Sequence, residues 1–90
     1  MPHVIIVYDL HGATSTEYSK LDTELKNRKY TKISEDTTWE GIYKDDVTPE
    51  GAIRTTKNEF AAAAQAAGVS KYDLKIYCAT KMLTDSLSKA

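Results

Sequence analysis

The sequence predicts an α+β domain in the order strand, helix, strand, strand, helix, strand: a ferredoxin-like βαββαβ fold, with a four-stranded antiparallel sheet and both helices on one face. Three observations predict it. An apolar, β-branched run lies near the start of the chain, at residues 3–10, and an alternating strand pattern lies near its other end, at residues 73–79. Two intervening segments carry helix start signals and apolar stripes at helical spacing. Two short aromatic-containing runs lie between those helices, close enough in sequence to form a hairpin.

The first strand is His3-Val4-Ile5-Ile6-Val7-Tyr8-Asp9-Leu10, apolar from Val4 to Tyr8, with Asp9 near its C-terminal end. His11-Gly12-Ala13 breaks the run. Thr14 and Glu17 have the spacing of a capping box, in which the hydroxyl and the carboxylate each satisfy a backbone N–H. A helix over about residues 15–28 follows, with Tyr18, Leu21 and Leu25 on one stripe. A second strand is expected over 30–34 and a turn at Glu35-Asp36-Thr37. Trp39, Ile42 and Tyr43 mark the third strand, where Gly41 signals a bulge or a close backbone approach.

Thr48 caps the second helix, Pro49 fits its first position and Glu50 suits its positive end. Ile53, Thr56, Phe60, Ala64 and Ala67 are its expected buried face. The small alanines of residues 61–64 would let it lie close to the sheet. Gly68 is placed to end it. The last strand, 73–79, alternates Leu74, Ile76 and Cys78 on one face with Lys75 and Tyr77 on the other. Residues 1–79 therefore read as the domain. Residues 80–90, with Met82, Leu83 and Leu87, read as a tail able to dock on a partner.

Ninety residues make one domain. A chain of this size buries only about 60–65% of its unfolded surface, so a second subunit would help its thin core. The uncovered sheet face predicts a homodimer, with Tyr8, Trp39, Tyr43 and Tyr77 as candidates for that face and Leu83 and Leu87 adding from the tail. A net charge of −1 disfavours strong nucleic-acid binding, which draws affinity from neutralising phosphates. No run approaches the roughly 20 apolar residues of a membrane span. No basic leader or cleavage site precedes the first strand, which reads against a secretory signal. Cys78 is the single cysteine, in keeping with a reducing cytoplasm and with a buried apolar role.

Asp9 is the leading candidate for chemistry. Mg²⁺ keeps several waters and often takes only one or two protein carboxylates, so one Asp9 from each of two subunits would form a minimal metal site. A strand-end aspartate capping the next loop is the simpler role for the same residue. His11 titrates near neutrality and is a candidate acid or base. His3 reads as a solvated strand start. Ser15 and Thr16 lie where helix amides suit an anion, and the lysines and arginines of both helices read as solvated, salt-bridged faces.

With Tyr8-Asp9 ending the first strand and Trp39-Glu40-Gly41 in the central hairpin, the chain resembles the CRISPR-associated Cas2 proteins and the related antitoxin endoribonucleases. The resemblance covers element order from His3 to Ala79. It implies a homodimer through the sheets, C-terminal segments crossing to the partner, paired Asp9 carboxylates on one divalent ion, and a place in phage defence or a toxin–antitoxin system. The chain departs from that pattern after strand one, where His11-Gly12-Ala13-Thr14 replaces a basic cluster. Two functions follow as expectations. The first is a non-catalytic homodimeric interaction module that serves as inhibitor, antitoxin or assembly component and takes a protein partner. The alternative is a metal-dependent endonuclease cutting RNA or DNA phosphodiesters, with Asp9 and His11 as catalytic residues and Mg²⁺ as cofactor.

Overall fold

The structure is a computed structural model that describes residues 1–33 and 37–79. The elements follow the expected order: β1 His3–Leu10, α1 Ser15–Asn27, β2 Thr31–Lys32, β3 Thr38–Ile42, α2 Pro49–Ala67 and β4 Tyr72–Ala79. They form one four-stranded sheet in the order β2-β3-β1-β4, antiparallel at every pairing, which is the ferredoxin-like arrangement. The expected turn at Glu35-Asp36 and the expected docking tail with Met82, Leu83 and Leu87 lie outside the described residues.

Local signals set the helices. The Thr14 hydroxyl accepts from the Glu17 amide at 3.2 Å, and the Glu17 carboxylate accepts from the Thr14 amide at 2.9 Å. The predicted capping box is therefore complete. Thr48 accepts from the Gly51 amide at 3.0 Å, Pro49 starts α2, and Gly68 ends it at φ 79°.

The strand period of two decides which side chains enter the core. Val4, Ile6, Tyr8 and Leu10 of β1 are buried, and so are Leu21 and Leu25 of α1 and Phe60 of α2. Trp39, Phe60 and Ile6 are the largest fully buried side chains, each contributing about 1.5–3 kcal/mol by leaving water. In β4, Tyr72, Leu74, Ile76 and Cys78 pack partly against this core and the alternate residues are exposed. The expected alternation of β4 holds.

Tyr8 and Trp39 correct the expectation that they share the uncovered face: both point into the core. Tyr8 follows Ile6 by one strand period, and Trp39 sits opposite Ile6 in the β1–β3 register, so all three face the helices. The Tyr8 ring lies 5.1 Å from Phe60, which lies 5.0 Å from Tyr72. Burying rings of this size is the larger gain. Tyr43 also turns inward, half-buried, just beyond β3.

Three smaller corrections follow. Ile53 is exposed on the shoulder of α2, and Ala52 and Ala63 take the inward positions beside Thr56, Phe60, Ala64 and Ala67. β2 covers Thr31–Lys32, with Tyr30 buried just ahead of it and Ile33 just past it, while Ser34 of the expected strand lies outside the described residues. His3 is half-buried, its Nδ1 3.6 Å from a Glu40 carboxylate oxygen, rather than a solvated strand start.

Candidate functional site

The sheet face away from the helices, uncovered among the described residues, carries the residues that alternate with the core. In β1 these are His3, Ile5, Val7 and Asp9, in β3 Thr38, Glu40 and Ile42, and in β4 Asp73, Lys75, Tyr77 and Ala79. Registers place Ile5 between Glu40 and Tyr77, and Val7 between Thr38 and Lys75. Ile42 and Tyr77 are more than half exposed, at 52% and 57%, and Ile33, just past β2, is 45% exposed. A seam of aliphatic and aromatic surface thus crosses the face, with Glu40 on one flank and Lys75 on the other. Of the four aromatics expected here, Tyr77 lies on this face.

Asp9 is exposed at the end of β1, directly opposite Asp73 on β4. His11 lies just beyond the strand, and its Nε2 is 2.8 Å from Asp73 Oδ2. Both partners are exposed, so this pair is solvent-screened and weak. A shallow cavity of about 400 Å³ runs beside it, lined by Val7, Tyr8, Asp9, Asp73, Leu74 and Lys75. The fold therefore brings the two predicted residues, Asp9 and His11, to one end of the sheet, with Asp73 opposite Asp9 in the strand register and paired to His11. Asp73 was not singled out from the sequence. Its signal was there: in this strand order β4 pairs with β1, so an acid at the start of β4 meets an acid at the end of β1.

Two neighbouring carboxylates are the oxygen donors that Mg²⁺ favours. Here one of them is engaged by an imidazole. Among the described residues, no group of three or more His, Cys, Asp and Glu side chains is placed to hold a metal ion.

Other candidates resolve into structural roles. The Glu17 carboxylate occupies the α1 N-terminus that Ser15 and Thr16 flank, and its charge competes with any anion there. Arg28 binds Glu59 at 2.9 Å and Glu24 at 3.3 Å, tying α1 to α2. Lys32 binds Asp22 at 3.1 Å and sits 5.8 Å from the Trp39 ring centre. These cations serve salt-bridged faces, as the interspersed acids suggested. Burial, then the Asp22 charge, pushes the Tyr8 hydroxyl far above its ordinary value of 10.0. Burial, then the bond to Tyr43, does the same to Tyr30. Both hydroxyls are structural and stay protonated.

The fold and this face define a small ferredoxin-like α+β domain with one side of its sheet uncovered by its helices. Comparison with protein families, curated proteins and solved structures yields no significant match to the chain. Among the described residues, no helix is long and apolar enough to cross a membrane.

Proposed function

We propose that this chain is a non-catalytic homodimeric interaction module of the Cas2-like kind, in which two copies meet through the uncovered sheet face and present a surface to a protein partner as an inhibitor, antitoxin or assembly component. The observation that carries this reading is the seam of Ile5, Val7, Ile42 and Tyr77, flanked by charges of opposite sign. A two-fold axis parallel to β1, laid between two facing sheets, sets β3 of one copy over β4 of the other. Glu40 then lies over the partner's Tyr77, one strand period from the partner's Lys75, and the apolar seams cover each other.

The same operation sets Asp9 over the partner's Asp9, which keeps the endonuclease as a second reading. The acids Asp9 and Asp73 with His11 beside them favour it. Mg²⁺, when bound, would supply charge neutralisation at a phosphodiester. Asp9 would hold it, and His11 would be the group near enough to move a proton.

Sedimentation equilibrium tests the first reading: the wild type is expected above monomer mass, and Ile5→Lys lowers the mass because it sets ammonium groups in the seam. A monomeric wild type at about 100 μM ends it. Incubation of purified protein with single- and double-stranded RNA and DNA in Mg²⁺ or Mn²⁺ tests the second. Turnover that disappears in a folded Asp9→Ala variant would establish the endonuclease and displace the non-catalytic reading.

A further inference from the structure

We propose that the outer edge of β4 is a second self-association surface, on which β4 pairs antiparallel with β4 of another copy about a two-fold axis at Leu74. The surface is separate from the sheet face. Among the described residues, no strand pairs with this edge. Sheet edges are usually blunted by shortness, proline or charge. The opposite edge follows that rule, since β2 spans only Thr31–Lys32. β4 is not short: it runs for eight residues without proline, and its two charges, Asp73 and Lys75, are of opposite sign.

Backbone phase shows which groups await a partner. The His11 amide donates to the Lys71 carbonyl at 3.1 Å, continuing the register that pairs Asp9 with Asp73. In an antiparallel ladder, residues alternate between bonding to one neighbour and to the other. Asp73, Lys75 and Tyr77 therefore bond to β1. Tyr72, Leu74, Ile76 and Cys78 direct their N–H and C=O groups to the free edge. Centred on Leu74, the pairing engages Tyr72, Leu74 and Ile76 of each copy in about six new backbone hydrogen bonds.

Charge selects the occupant and the register. With Leu74 opposite its own mate, Asp73 lies opposite the partner's Lys75, and the contact occurs twice by symmetry. Centred on Lys75, like charges would meet. Centred on Ile76, Lys75 would face the partner's Tyr77 and Asp73 the partner's Ala79. Opposite charges across a strand pair stabilise and like charges destabilise it. A β4 strand from a second copy is therefore self-complementary here. A groove of about 450 Å³ follows the same edge, bounded by Ile53, Lys57 and Ala61 of α2 and by Tyr72, Leu74 and Ile76 of β4. The Leu74 register sets Tyr72 opposite the partner's Ile76, on the groove side, so the second strand fills it. The exposed Ile53 gains a cover by the same contact.

The test is a symmetric cross-link. Hydrogen-bonded antiparallel partners have Cα atoms about 5.5 Å apart, within the roughly 4.4–6.8 Å that a disulfide spans. Under mild oxidation, Leu74→Cys in a Cys78→Ser background is expected to give a covalent dimer, whereas Ile76→Cys in that background gives little. A matching measurement leaves the core untouched: Asp73→Lys and Lys75→Asp should each weaken edge association at least tenfold, and the double exchange should restore it. Absence of the Leu74→Cys cross-link together with failure of the double exchange to restore association overturns the proposal. Ile5→Lys separates the two surfaces. Loss of mass with the cross-link retained leaves both readings standing, and a cross-link in a protein whose mass Ile5→Lys does not change ends the face reading alone.

Discussion

The Tyr43 hydroxyl lies 2.8 Å from the hydroxyl of Thr56 and 2.8 Å from that of Tyr30, so one phenol joins α2 to the segments flanking the central hairpin. Thr56 is wholly buried in the middle of α2. Removing the Tyr43 hydroxyl strands a buried polar group, which costs about 1–3 kcal/mol. Tyr43→Phe is expected to lower unfolding free energy by that amount in urea titrations. Tyr43→Phe with Thr56→Val should cost less than the sum of the two single changes, because the double variant removes both partners of one bond.

Gly41 is held by a close approach rather than a bulge, since the β1–β3 register runs through it unbroken. A Cβ placed there would sit 2.5 Å and 2.6 Å from two Tyr30 ring atoms and 3.1 Å from a Val4 methyl. The Tyr30 ring is buried and tethered through its hydroxyl, so it has little room to move. Gly41→Ala is expected to destabilise the domain by about 1–3 kcal/mol, as overpacking does. A thermal melt unchanged from wild type would show that the ring can yield.

The buried phenols set the alkaline limit of the fold. Tyr8 and Tyr30 have folded pKa values raised above the unfolded value of 10.0, so their contribution to stability is constant below that pH. Above it the unfolded chain releases protons that the folded chain keeps. Fewer protons on the unfolded state make the slope of stability with pH negative. Each group then removes about 1.4 kcal/mol per pH unit. Urea midpoints measured from pH 9 to 11.5 should fall with pH, and Tyr8→Phe should flatten that fall by one group's worth.

Two left-handed residues make opposite predictions. Gly68 caps α2 at φ 79° with open space around its α carbon, and Lys29 follows α1 at φ 72°. Glycine adopts this region without steric cost and lysine does not. Gly68→Ala should therefore destabilise by about 1 kcal/mol. Lys29→Gly should leave stability unchanged or raise it by up to about 1 kcal/mol, despite glycine's greater unfolded-state entropy. A clear loss on Lys29→Gly would point to a contact made by the lysine side chain.

The site was less legible than the scaffold around it. Asp9 and His11 lie close together in sequence and were readable as a pair. Asp73 is remote in sequence and reaches them through strand order. Tyr8, Trp39 and Tyr43, candidates for the open face by sequence, turn inward instead; for Tyr8 the sequence leaves the side open because β1 is apolar at every position from Val4 to Tyr8. With both faces of the strand apolar, alternation gives no phase. In β4, where charged and apolar residues alternate, the same reading was right.

The sequence by itself determined the order of the elements, the ends of both helices and the inward face of β4. Those properties depend on capping side chains, on a glycine tolerant of positive φ and on hydrophobic period, all of which act within a few residues. Tertiary structure alone decided which face of β1 the helices cover, that Gly41 must admit the Tyr30 ring, and that Asp73 completes the end of the sheet beside Asp9 and His11. Those outcomes depend on which distant segments pair and pack, and a local pattern leaves that open until the chain closes on itself.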